Sequence, residues 1–221
     1  MMNNLFSIFD PSTSSWFSFN WLSLFLPLVF LPSVFHFLNS RINWVKFSLI
    51  TYILSDMKSN LKKSYFKNLI IFLSFFCFLS LSNMLSLFPF IFTPTSHISI
   101  SLSYSLPFWI SMMLKGWISS TFNMFSHLVP LSTPLLLCPF MVIIETISNI
   151  IRPLTLSVRL SANMIAGHLL ISLLSDILNN NFLIFCFTSL ILNMLIILEM
   201  AVSMIQSYVF IVLLSLYMNE I

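Results

Sequence analysis

The sequence predicts an all-α integral membrane protein with about five membrane helices and one amphipathic surface helix. Three observations carry that prediction. Of 221 residues, 58% are hydrophobic and 7% charged, with a mean hydropathy of +1.00, whereas soluble domains carry ~25% charged residues. Apolar runs long enough for the ~20 residues of a bilayer crossing recur along the chain. Charge placement is the third: six of the nine Lys/Arg (Arg41, Lys46, Lys58, Lys62, Lys63, Lys67) lie between the first two apolar runs, with Asp56 as their only acidic neighbour. By the positive-inside rule that segment faces the side of synthesis. The length is filled by such spans, so residues 1–221 are expected to form a single membrane domain.

Trp16 and Trp21 lead into the first span, residues 16–38, where Pro27 and Pro32 predict a kink. No Lys or Arg precedes Arg41, so neither a basic signal region nor an Arg-rich transit face is expected there. Residues 41–67 mix basic and apolar side chains and fit a helix lying on the membrane surface, with a plain basic loop as the alternative. Residues 68–92 and 97–117 follow as a helical hairpin. Within the second of these, HISISLSYSL alternates strictly, which would argue for a strand in water. In lipid a lone strand leaves its backbone unpaired, whereas serine in a helix can bond back to the preceding turn, so a helix is expected.

Ser119 to Pro139 holds Pro130, Pro134 and Pro139 and fits a re-entrant or interfacial connection. His127 could carry protons there or make one local hydrogen bond; His36 and His97, near helix ends, have the same two readings. The last two helices, 140–178 and 182–217, are joined by Asn179-Asn180-Asn181, a turn-favouring run. At 1.5 Å per residue the first would measure ~58 Å against a ~30 Å hydrocarbon core, so the pair must tilt steeply or bend, with Pro153 as a candidate kink. Asp176 is expected to cap a helix near that turn.

The chemistry is concentrated in ETISNIIRPLTLSVRLSANMIAGHLL. An ionisable side chain at bilayer depth costs at least ~2.5 to 3.5 kcal/mol on insertion scales, so its default reading is a transport path. At ~100° per residue Glu145, Arg152, Arg159 and Asn163 share one stripe of a helix, while His168 lies ~180° from Arg159 and ~13.5 Å further along. Thr155, Ala162 and Ala166 beside Arg159 are small enough to admit another helix. Arg159 is therefore expected to face a partner rather than lipid. Arg152 could be a second gate, although pairing with Glu145 or snorkelling fits better. Glu199, Ser203 and Gln206 form one face of the last helix.

Enzyme motifs, phosphate loops and nucleic-acid signatures are absent from the sequence, and no cofactor or catalytic site is expected. His168 with Glu199 supplies only two metal ligands, so no metal is expected. The three cysteines stand alone in apolar runs and are expected to pack. Two glycines beside 25 Phe and 13 Met resemble the product of an AT-rich organelle gene. A fixed Arg flanked by separated titratable groups is a proton-path arrangement. The rival is a self-contained secondary transporter or channel subunit; against it stand the lack of an internal repeat and the scarcity of glycine for broken helices. A purely structural subunit would have no need of a buried Arg.

VRLSANMIAGHLL, preceded by ETISNIIRP and followed by LEMAVSMIQSYVF, resembles the subunit a family of F-type ATP synthases, in mitochondria the ATPase subunit 6 family. MNNLFSIFDPS, FPFIFTPTSH, HLVPLSTP and the closing SLY extend the resemblance over nearly the whole chain. The resemblance implies that Arg159 faces the carboxylate of a rotating c-ring, with the last two helices as a tilted hairpin against that ring. It implies an inlet at His168, Asn163 and Glu199, an outlet at Glu145 and Glu220, and Gln206 near the Arg. Glu220 stands where the family usually has Asp. Implied partners are c-ring subunits, other Fo stator and peripheral-stalk subunits, and lipid, with protons as the transported ion. The implied location is the mitochondrial inner membrane, N-terminus in the intermembrane space and C-terminus in the matrix.

Overall fold

The structure is a computed structural model that describes the backbone of residues 5–14, 16–30, 41–61, 63–88, 91–129, 134, 137–177 and 182–220, with the side chains at 5, 30, 42, 43, 46, 63–65, 123, 127, 177, 182–184 and 220 outside the description. All regular structure among the described residues is helical. Short 3-10 segments, Leu5–Phe9 and Phe19–Phe25, precede α1 (Leu26–Phe30). Then come α2 (Arg41–Asn60), α3 (Leu69–Ser86), α4 (Ile98–Ser119), α5 (Thr121–His127), α6 (Cys138–Ile177) and α7 (Phe182–Glu220), with 3-10 segments at Lys63–Asn68 and Pro94–Ser96. Three stretches are long and apolar enough to cross a membrane: Phe66–Ser86, Cys138–Asp176 and Phe185–Asn219. The 22 residues of α4 add ~33 Å of helix, made less apolar by its serines and Lys115. Of the expected first span, Phe19–Val29 is a shorter apolar helix, and 31–40, with His36, lies outside the described residues.

The alternating HISISLSYSL segment is helical, for the reason the bilayer supplies. Ser101, Ser103 and Ser105 donate to the carbonyls of Ile98, Ile100 and Leu102 at 3.0, 2.7 and 3.4 Å. Each hydroxyl is thereby satisfied within its own helix and can enter lipid or a helix contact. His97 precedes α4, and its Nε2–H donates to the Phe9 carbonyl at 3.1 Å. With the Trp21 and Phe92 rings 5.2 and 5.4 Å from its own, His97 ties the N-terminal segment to the start of the hairpin.

α4 packs along α6, α3 along α7, and α6 along α7. Serines spaced four apart are buried on each of these helices: Ser82 and Ser86, Ser101 and Ser105, Ser157 and Ser161, Ser203 and Ser207. Lipid offers apolar side chains no hydrophobic drive to leave it, so membrane helices associate by close packing, and small side chains on a shared face permit it. Larger residues fill the space around them. Phe72, Leu79, Met112, Leu156, Leu160, Phe210, Ile211 and Leu214 belong to the core, and the Phe75 ring packs at a tilt against Phe108 and Phe210, centroids 4.7 and 5.5 Å away. α2 packs beside α3 and α7. It buries Met57 while exposing Trp44, Phe47 and Tyr52, and the Tyr208 hydroxyl of α7 donates to its Asp56 at 3.4 Å. This two-faced exposure suits a helix at the membrane surface.

α6 continues through Pro153, which is buried. Asp176 is the penultimate residue of α6. The expectation that it caps a helix is therefore corrected: caps use the free N–H groups of a helix start, and Asp176 sits at an end, among free carbonyls. The connection after α4 holds α5, and 130–133 and 135–136 lie outside the described residues, as does the His127 side chain.

Candidate functional site

α6 carries three stations in succession. At the first, Glu145 Oε1 lies 3.6 Å from an Arg152 guanidinium nitrogen, with both side chains partly exposed. The Arg152 guanidinium also sits 5.1 Å from the centroid of the Tyr217 ring on α7. A carboxylate and an aromatic face together hold the cation locally, which favours the pairing role for Arg152. Beside them a cleft of about 340 Å³ is lined by Trp109, Trp117, Met124, Leu128 and Asn149 as well as the pair itself. Glu220, whose side chain is outside the description, ends α7 three residues beyond Tyr217.

Arg159 is the second station, two turns along. It is exposed on the outer face of α6, with Thr155, Ala162, Asn163 and Ala166 also exposed. Among the described residues no carboxylate comes within ion-pair distance of it. The neighbouring face turns the other way: Leu156, Ser157, Leu160 and Ser161 are buried. The helix thus hides its apolar and hydroxyl side in the bundle and presents a bare cation on small side chains.

The third station lies toward the α6–α7 connection. Asn163, Met164 and His168 from α6, Glu199, Val202, Ser203 and Gln206 from α7, and Leu87 after α3 surround one small cavity of about 20 Å³, room enough for a single water. Glu199 is 9% exposed. Both its carboxylate oxygens and His168 Nε2 are buried without a protein hydrogen-bond partner. Buried polar atoms left unpaired cost several kcal/mol unless water or an exchangeable proton satisfies them, so the site is chemically suited to proton handling. His168 is nine residues from the end of α6 and Glu199 seventeen from the start of α7, a mismatch of ~12 Å, yet both side chains line the same cavity.

The expected residues thus fall into two groups around an isolated Arg159: Glu145 with the end of α7 on one side, and His168, Asn163, Glu199 and Gln206 on the other. Two contributors were not singled out from sequence. Asn83 of α3 is 0% exposed, neither amide atom has a partner, and it lies one turn before cavity-lining Leu87. An amide inside an apolar span was the available signal. Gly167 lies directly under the Glu199 carboxylate, and nothing in the sequence marks that contact. Among the described residues no cluster of three or more His, Cys, Asp or Glu could hold a metal.

Residues 12–219 match the family model described as ATP synthase A chain. The chain is 49% identical over 223 residues to ATP synthase subunit a of Drosophila melanogaster, covering all of both chains. It is 49% identical over 228 residues to that of Locusta migratoria, again covering both completely. To ATP synthase subunit a of Apis mellifera ligustica it is 45% identical over 220 residues, covering all of this chain and 97% of the relative. With the family match spanning nearly every residue, including all three stations of α6, the chain belongs to the ATP synthase A chain family.

Proposed function

We propose that this chain is the proton-conducting stator subunit of the F-type ATP synthase Fo motor in the mitochondrial inner membrane, with two offset half-channels meeting a c-ring at Arg159. The observation that carries the reading is the bare Arg159 on a face of small side chains, with separate titratable groups to either side along α6. A proton enters past His168, Glu199, Asn163 and Gln206 and neutralises a ring carboxylate. The neutral carboxyl then leaves Arg159 for lipid at far lower desolvation cost than the ion. After nearly a full turn the carboxyl comes back from the other side and releases its proton toward Glu145 and Glu220. Arg159 keeps the two paths apart, because a guanidinium stays protonated, so it does not relay protons, and its charge favours the ionised carboxylate. Each charge moved gains ~2.3 kcal/mol per 100 mV.

The assembled complex tests this against a self-contained transporter. Vesicles holding the chain with a c-ring should conduct protons under an imposed potential, and vesicles holding the chain alone should not. Conduction by the chain alone would overturn the reading. Other stator and peripheral-stalk subunits complete the assembly.

The orientation follows from the basic segment. With Arg41 to Lys67 on the matrix side, three crossings take an N-terminus in the intermembrane space to Lys115 on the matrix side. Glu145 and the C-terminus then face the matrix, and His168 faces the intermembrane space. In an otherwise cysteine-free background, Glu145→Cys should react with an impermeant thiol reagent from the matrix side only and His168→Cys from the opposite side only. Labelling of both from one side would reverse the inlet and outlet assignment.

A further inference from the structure

We propose that Gly167 is a positioning residue of the inlet: its missing side chain is the seat on which the Glu199 carboxylate rests. Glycine inside a helix is unfavourable by ~1 kcal/mol relative to alanine, and the chain contains only two glycines, so a glycine in mid-α6 calls for a steric reason. Gly167 is buried. A Cβ built there would overlap Glu199 Oε1 and would lie 2.6 Å from Cδ and 3.1 Å from Cγ of the same side chain. These are the three nearest atoms, and all belong to the carboxylate arm rather than to the backbone of α7. What a side chain at position 167 would meet first is therefore the Glu199 arm. The glycine lets one acidic side chain lie flat on α6, immediately before His168 and one turn after Asn163.

The placement has a functional consequence, which rests on the proton-path reading above. Glu199 shares its cavity with His168, Asn163 and Gln206. A methyl group at position 167 leaves the helix intact and evicts the carboxylate, moving it by on the order of 1 Å. Misplacement on that scale can reduce a geometry-dependent step by ~100-fold.

The test is a double-mutant comparison in the assembled, membrane-embedded complex. Gly167→Ala should lower potential-driven proton flux at least ~10-fold. Adding Gly167→Ala to Glu199→Asp, whose carboxyl is one methylene shorter and draws back from the most severe overlap with the new methyl, should cost clearly less of the remaining flux than Gly167→Ala costs alone. Wild-type flux in the Gly167→Ala complex overturns the proposal. So does an equal loss in both backgrounds, which would mean that the methyl disturbs helix packing. Should Gly167→Ala fail to assemble, recovery of assembly in the double variant supports the clash with Glu199, and continued failure overturns it. A map of the Gly167→Ala complex separates this proposal from the transport reading: a carboxylate still seated over position 167 defeats it whatever the flux. Absence of ring-dependent flux in the unmodified complex defeats the transport reading alone.

Discussion

Arg159→Ala is expected to abolish coupled proton transport while the chain remains inserted and assembled. The side chain is exposed on the outer face of α6 and pairs with no carboxylate among the described residues, so its removal orphans no buried partner. Surface changes of that kind shift stability by within ~0.5 kcal/mol. On the proposed mechanism the loss falls on the passing ring carboxylate, which no longer meets a cation that favours its ionised form between inlet and outlet. Without that separation protons can cross from one path to the other, and rotation loses its direction. Arg159→Lys should fail or nearly fail as well, because an ammonium is a compact point charge of different reach that lacks the planar fork of donors a guanidinium offers a carboxylate. The measurement is proton-driven ATP synthesis per assembled complex, with subunit content determined in the same membranes. Normal coupled synthesis in the alanine variant would end the proposed role.

The second large effect is expected at the proposed inlet, where Glu199→Gln and His168→Ala should each lower proton flux by ~100-fold, the low end of the range for a lost acid–base group. Gln keeps the shape and packing of Glu199 over Gly167 and removes only its titration. The informative variant is the double one. If the two side chains act as one unit around their shared cavity, the double variant should be no slower than the worse single, because the second change removes nothing further. Multiplied losses would show two independent steps, and the unit would have to be abandoned. Glu145→Gln should not enter this coupling, since Glu145 lies on the far side of Arg159 beside Arg152 and Tyr217.

Much of the architecture was legible because its causes are local. Bilayer thickness sets the length of an apolar run, and α6 and α7 begin and end within a few residues of the expected 140–178 and 182–217. The serine-rich start of α4 was readable as helix once the solvent was known to be lipid, since only the helix satisfies its hydroxyls and backbone together. Asp176 falls inside the expected 140–178 and inside α6 alike, so what was misread is its role: a carboxylate caps the free N–H groups at a helix start, and this one sits at a helix end.

The sequence by itself determined the membrane class, the family resemblance, and the grouping of Glu145, Arg152 and Arg159 along one side of a single helix, because spacing at ~100° per residue is an intrahelical quantity. Only the tertiary structure decided which of those charges is held and which is bare. Arg152 is held by Glu145 and by Tyr217, a residue from the far end of the chain, while Arg159 is left uncovered. Tertiary packing likewise brought His168 and Glu199 to one cavity, seated the Glu199 carboxylate on Gly167, and buried Asn83 one turn from the cavity wall. The physical reason is that helical periodicity names the residues on a face, whereas the axial offset and tilt of two helices decide what that face meets.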